Sequence, residues 1–408
     1  MNQDRTTPSY PLDIVISWVD RPEILEPLLA EWQRLAFLTQ ADIYLTPAWF
    51  SIWWSHFGAG RGFACLVARH GEALVGILPF CIETFWLGPM RMRVARLAGT
   101  DPHCMIFTLP IERDVAPKIL REACRYLLGP GGCDTISLKP VSERADFLPL
   151  LMQIQGSSAD LTVTDLPLGS HVIFDLPDSF DTYLRTRLSK KRRAHFRQNL
   201  KGLESSFATE AHLLVPNARE FDAFVALHNA QWQAVGKGGH FADWPNSAAF
   251  FRALTTVSLP GFGIQFDSLE GSRGPLATQF SLICGQTAHW RLPARSLDQN
   301  AERLSIGQVG LVLMIKGLIE TGVRRIEGGR GEYDYKLSLG GENVPVHRLL
   351  ISRATSISKV RLRLLMSYVD LLNLFYYRVW FKKLAPRLRR LTGGKPRPLW
   401  RIWIRTRI

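Results

Sequence analysis

Cysteine is scarce in this chain: six in 408 residues (Cys65, Cys81, Cys104, Cys124, Cys133, Cys284), scattered, with no C-x-x-C pair and no close cysteine–histidine spacing. That pattern excludes a disulfide framework and a zinc knuckle, so no metal is expected, and it fits a reducing cytoplasm. A secretory leader is not expected either. Asp4, Arg5, Pro8 and Asp13 precede any apolar run, so no basic n-region and apolar h-region open the chain. Long hydrophobic runs are lacking: the longest apolar stretch of the C-terminal region, Leu364 to Phe381, is broken by Asp370, Asn373 and Arg378 and is a poor spanning helix. Acidic residues are nearly absent from the same region.

What is present is a 46% hydrophobic composition over 46.2 kDa, enough for two globular cores rather than one. The net charge of +14 suggests a nucleic-acid binder until its position is read. Residues 356–408 hold 14 Lys and Arg against the single Asp370, whereas the other 355 residues hold 36 basic and 35 acidic side chains. The body is therefore near neutral and the basicity belongs to a tail.

The body reads as mixed α/β. A strand from Leu12 to Val19 and helices over Pro22–Leu38 and Pro47–Phe57 precede two apolar runs joined by His70-Gly71-Glu72, a hairpin, with a further strand at Met92–Leu97. A helix Val115–Leu128 stops at Gly129-Pro130-Gly131-Gly132 before a strand Thr135–Leu138. The second half repeats the order: helices Ser179–Leu203, Ala218–Val235 and Ser247–Val257, strands Phe262–Leu269, Pro275–Cys284 and Thr287–Leu292, then a helix opened by Ser305-Ile306-Gly307 and a strand Val323–Glu327. A glycine at a helix start presents N–H groups and a positive dipole end to a phosphate. The following strand brings Arg330, Tyr333, Tyr335 and Lys336 beside that seat, the arrangement of a transferase with a phosphate-bearing cosubstrate.

The ordered set Trp49-x-x-x-Trp53, Gly71-Glu72-Ala73-Leu74-Val75-Gly76, Ser189-Lys190-Lys191-Arg192-Arg193, Leu227-His228-x-x-x-Trp232, Ser305-Ile306-Gly307 and Arg330-Gly331-x-x-x-Tyr335-Lys336 resembles the CelD and BioF2-like acyltransferases. That family lies in the GNAT superfamily and is similar to FemAB peptidyltransferases. The resemblance implies two tandem GNAT-like domains, residues 1–165 without a cofactor site and 166–355 with one, followed by the tail 356–408. It implies acetyl-CoA or a longer acyl-CoA as cosubstrate, with Arg303, Ser305, Gly307 and Gly310 at its pyrophosphate and Trp290 and Leu292 along its pantetheine arm. Where the family pattern has an Asp-Phe pair, this chain has Glu327-Gly328-Gly329, and loss of the aromatic is expected to open the pocket.

Attack by an amine or hydroxyl on a thioester calls for a proton acceptor, and two candidates stand open: Glu327, its pKa raised by burial, and His228, which reads equally as a packed helix residue. Arg330 can grip an anion, Tyr335 can return a proton to the leaving thiolate, Lys336 adds charge beside them, and Asp298 matches a family acidic position that orients the acceptor. Lys190, Lys191, Arg192 and Arg193 form either a seat for an anionic small-molecule, saccharide or lipid-linked acceptor or a solvated face. No nucleic-acid reader module surrounds them, so sequence-specific nucleic-acid binding is not expected. Trp49, Phe50, Trp53, Trp54 and Phe57 recur at helical spacing and read as core. The tail reads as an amphipathic helix on the inner membrane surface, as a helix packed on the body, or as a free basic end. Against acyl-CoA transfer in envelope or exopolysaccharide precursor synthesis stand two other readings: aminoacyl transfer from aminoacyl-tRNA, and a silent scaffold.

Overall fold

The computed structural model describes residues 13–384 and 387, apart from 101–103, 158–159, 236–238, 244–245, 258 and 260. In the first half, β1 (Ile14–Val19) leads into a 3-10 turn at Pro22–Leu28, interrupted by Pro27, and then α1 (Leu29–Leu38) and α2 (Pro47–Phe57). β2 (Gly62–His70), β3 (Ala73–Leu87) and β4 (Met90–Leu97) form an antiparallel meander, and α3 (Ala116–Leu128) crosses to β5 (Thr135–Ser142), which lies parallel to β4. α4 (Leu148–Ser157) and β6 (Leu161–Asp175) follow.

The second half opens with α5 (Phe180–Arg187) and α6 (Lys190–Phe207), one expected helix broken at Leu188-Ser189 because Ser189 caps the second helix, its hydroxyl accepting the Arg192 N–H. β7 (Glu210–Leu214), α7 (Ala218–Ala234), α8 (His240–Asp243) and α9 (Ser247–Leu254) lead to a second meander, β8 (Phe262–Gly271), β9 (Gly274–Cys284) and β10 (Thr287–Arg295). α10 (Gln299–Arg303) and α11 (Ile306–Glu320) then cross to β11 (Arg325–Arg330), parallel to β10, and α12 (Asp334–Ser338), β12 (Glu342–Arg353) and α13 (Ser356–Leu374) follow, α13 running on into a π-helix at Phe375–Leu384.

Among the described residues all twelve strands join one sheet, ordered β1-β2-β3-β4-β5-β12-β6-β11-β10-β9-β8-β7. The halves interleave at its centre. β6 leaves the first half to pair with β11, and β12 returns from the second half to lie between β5 and β6. The expected boundary between residues 165 and 166 falls in the middle of β6. β6, β7 and β12 had not been anticipated from the sequence.

The aromatic helix α2 is core, and it joins the halves: Trp49, Phe50 and Trp53 are buried, and the Trp49 ring meets Phe250 of α9 edge-on at 4.9 Å. A separate core lies beneath α11, whose Ile306, Val309, Leu311, Val312, Met314 and Ile315 are buried. All six cysteines are buried thiols without disulfide partners.

Candidate active site

Two strands part in the second half. β10 and β11 pair in parallel only at Thr287–Arg325, Ala288–Ile326 and His289–Glu327, after which β10 runs on to Arg295 and β11 to Arg330 without further pairing. Each carries a bulge at the parting. The ladder to β9 slips between Trp290 and Leu292, leaving Arg291 out of register, and the ladder to β6 slips between Glu327 and Arg330. The two glycines make the second bulge possible. Gly329 has φ +79°, and a Cβ on Gly328 would sit 2.9 Å from Phe174 Cε2 and 3.0 Å from the Val172 carbonyl. The Phe174 ring of β6 thus lies where the missing aromatic was expected to leave space, which corrects the expectation of an opened pocket.

α12 places Lys336 in the gap. Its Nζ donates to the Gly328 carbonyl at 2.6 Å and lies 5.4 Å from the Trp290 ring and 5.0 Å from that of Tyr333. Burial pushes this ammonium down to about 8, against the pull of the Glu327 charge. Trp290 is fixed by an Nε1–H bond to Gln279 Oε1 (3.0 Å), and Tyr335 stands edge-on to it at 6.5 Å. Burial pushes the Tyr335 phenol up to about 12, so it is a proton donor at neutral pH.

Glu327 looks the other way, since successive strand residues face opposite sides. It is buried and meets His171 Nδ1 of β6 at 3.3 Å, and it accepts the Gly329 N–H at 2.9 Å; His171 Nε2 in turn lies 2.9 Å from Ser142 Oγ of β5. Burial alone would raise the Glu327 pKa, but the hydrogen bond and charge of His171, the charge of His289 and the Gly329 N–H together hold it below the usual carboxylate value. The expected raised pKa is therefore corrected: Glu327 is held as a buried anion, its Oε1 bonded by His171 and the Gly329 N–H. The same buried seam holds His289, lowered to about 4 by burial, whose ring meets Tyr44 at 5.0 Å. It also holds Asp42, raised to about 8 by burial while its carboxylate receives the Phe107 and Thr108 N–H groups. Ser142, His171, His289, Tyr44 and Asp42 escaped the sequence reading. Their signal was polar residues within apolar strands and turns, visible only once the strand order is known.

The remaining candidates are dispersed. His228 is buried on α7; its Nδ1 donates to the Pro293 carbonyl (2.9 Å), its Nε2 meets His240 Nδ1 at 3.0 Å, and burial lowers its pKa. Asp298 caps α10, its Oδ1 accepting the Asn300 and Ala301 N–H groups. Arg330 is exposed and its guanidinium donates to the Leu168 carbonyl rather than to Glu327. Ser305 caps nothing with its side chain; it turns the chain at φ +54°, so that Ile306 and Gly307 head α11. The Arg295 side chain passes 3.7 Å from a Cβ built on Gly307 and pairs with Glu302. Arg303 is exposed beside this turn, and Leu292 is partly buried on the opposite, aromatic core. At Gly310 a Cβ would meet Ala277 Cβ at 3.0 Å and Gln279 Nε2 at 3.3 Å, so this glycine lets α11 approach the sheet. In the basic run, Lys190 and Lys191 are exposed and Arg192 half-buried, but Arg193 donates to the carbonyls of Leu184, Arg185 and Leu188 and closes the end of α5.

Residues 190–337, which span the parted strands, α11 and α12, match the family model of an acetyltransferase (GNAT) domain. Among solved structures the chain is similar to FemX, with a TM-score of 0.58 and 8% identity over 82% of this chain and 96% of FemX. It is also similar to a tandem GNAT protein from the clavulanic acid biosynthesis pathway, with a TM-score of 0.41 and 13% identity over 84% of this chain and 99% of that one. No curated protein matches it. The meander, crossover helix and parallel strand are present in both halves, the chain shares the fold of FemX, and its residues 190–337 match an acetyltransferase (GNAT) domain.

Proposed function

We propose that the chain transfers an acyl group from acyl-CoA to an amine or hydroxyl acceptor at the parting of β10 and β11. The observation that carries this is the Lys336 ammonium in that gap, held by the Gly328 carbonyl and the Trp290 ring. When bound, acyl-CoA supplies an activated thioester. The Ser305–Gly307 turn, with helix N–H groups and the nearby Arg295 side chain, suits its pyrophosphate, and the unpaired edge of β10 suits an extended pantetheine. Attack on the thioester carbonyl collects negative charge on oxygen. A cation already desolvated beside the gap stabilises that charge without reorganising. Tyr335 can protonate the departing thiolate and recover a proton, by way of water, from the N–H or O–H of the attacking acceptor, so the acceptor's proton ends on the thiol.

The first half supports a single cosubstrate site. There β4 stops at Leu97, and the chain's own segment bridges the edge of β5, Ile106 pairing with Val141. A small-molecule, saccharide or lipid-linked acceptor with negative charge suits Lys190, Lys191 and Arg192, in envelope or exopolysaccharide precursor synthesis.

Incubation of the purified protein with radiolabelled acetyl-CoA, longer acyl-CoAs or charged tRNA, over a panel of amines and sugar nucleotides, tests the reading. Acyl transfer that disappears in Lys336→Met supports it. Transfer from charged tRNA without CoA, or no CoA binding by thermal shift, overturns it.

A further inference from the structure

The helix that follows the GNAT halves is fixed to the body along one side only. Thr355 caps α13 by accepting the Ser358 N–H, Leu365 and Val369 bury against Phe85, Met92 and Val94, and Arg361 bonds Asp134 (2.8 Å) and the Arg91 carbonyl. Those contacts fix which side faces out. On it, at steps of three, four and seven residues, stand Ile357, Val360, Leu364, Leu371, Leu374 and Phe375, each 44–73% exposed. This is one continuous apolar stripe on a surface where isolated apolar residues are the norm. Lys359 and Arg363 are exposed along one edge of it, and residues 356–408 carry 14 basic side chains against Asp370. Among the described residues no helix is long and apolar enough to cross a membrane.

We infer that the outward face of α13 docks the protein on an anionic lipid bilayer, the stripe entering the headgroup boundary and Lys359, Arg363 and Arg378, all exposed, meeting acidic headgroups. The charge commits the occupant. A protein partner or a second copy of this near-neutral body would have to gather complementary negative charge around an apolar seam, whereas an acidic leaflet supplies both at once. The inference rests on the tail and not on the proposed catalytic reaction.

The test is sedimentation of the full-length protein with phosphatidylglycerol-rich vesicles against phosphatidylcholine vesicles. Binding to the first only, weakened at least about tenfold by Ile357→Asp with Leu364→Asp and by Lys359→Glu with Arg363→Glu, is expected. Circular dichroism checks that these exposed changes leave the fold intact. As a check needing no variant, binding should fall as salt is raised from about 0.1 to 1 M. Equal binding to both vesicles, no binding, or variants that bind like the parent would overturn the inference, the last because it would place the contact in residues 385–408 alone. A stripe masked by a concentration-dependent dimer in gel filtration would also overturn it.

Discussion

Glu327→Gln separates the two faces of β11 in one experiment. The carboxylate lies between His171 Nδ1 and the Gly329 N–H, with Ser142 behind the imidazole, so the substitution removes one charge from a buried, hydrogen-bonded set. Breaking such a pair costs about 3–5 kcal/mol. His171 Nδ1 and the Gly329 N–H both meet one oxygen, Oε1, which the amide retains, so the expected loss is near the low end, about 3 kcal/mol at pH 7, read by urea unfolding. The pH dependence has a definite sign. The folded pKa of Glu327 is depressed, so its contribution is complete above the unfolded value and disappears as pH falls through the folded one; parent and variant should converge in acid. A second readout lies across the strand. The Glu327 charge favours the protonated form of Lys336, so in the variant the alkaline limb of kcat/KM, expected near pH 8 in the parent, should move to lower pH. A loss under about 1 kcal/mol at pH 7 or a limb that moves to higher pH would refute the reasoning.

Lys336→Met should lower kcat roughly 10²–10³-fold if the ammonium stabilises the oxyanion, while the unfolding midpoint holds or rises because a costly buried charge is gone; unchanged kcat counts against its role. Gly328→Ala forces a Cβ into Phe174 and the Val172 carbonyl and should cost about 1–3 kcal/mol, partly recovered by Phe174→Leu in a double-mutant cycle. Asp267 on β8 is bonded by Gln265 Nε2 and lines a cavity of about 310 Å³ beneath α11; burial raises its pKa to about 7. The folded state then holds a proton the unfolded chain has released, and Asp267→Asn should stabilise by on the order of 1 kcal/mol at pH 8 and by nothing at pH 4, measured by urea midpoints.

The sequence carried the repeated helix–meander–crossover order because each element has a local signature: period-two apolar strands, the His70-Gly71-Glu72 turn, the Gly129–Gly132 stop. It carried Trp290, Tyr335 and Lys336 to one place because the chain order around α11 fixes their neighbourhood. What it could not carry is long-range pairing. β6 and β12 are read correctly only as partners of strands far away, and His171 means little until β6 lies beside β11. The Glu327 pKa failed for the same reason, since burial is guessable from composition but the three groups that overrule it come from β6, β10 and the bulge. Gly310 and Asp298 carry structural duties that motif position does not report, the first in helix–sheet packing and the second in capping α10.

The two halves also explain each other. In both, a parallel pair of strands holds for three residues and then parts, at Arg96–Ser137 in the first and His289–Glu327 in the second. A parting exposes main-chain N–H and C=O groups that must find partners. The first half supplies them from its own chain: Ile106 donates to the Pro140 carbonyl at 2.9 Å and accepts the Ser142 N–H at 3.1 Å, while Met105 and Phe107 pack on Ile173, Val344 and Val346. The Ser142 so anchored is the residue that holds His171, and through it Glu327 and the Gly329 bulge. The segment that closes the first parting therefore helps to shape the second, which gives a physical reason for the two halves to be held in one sheet.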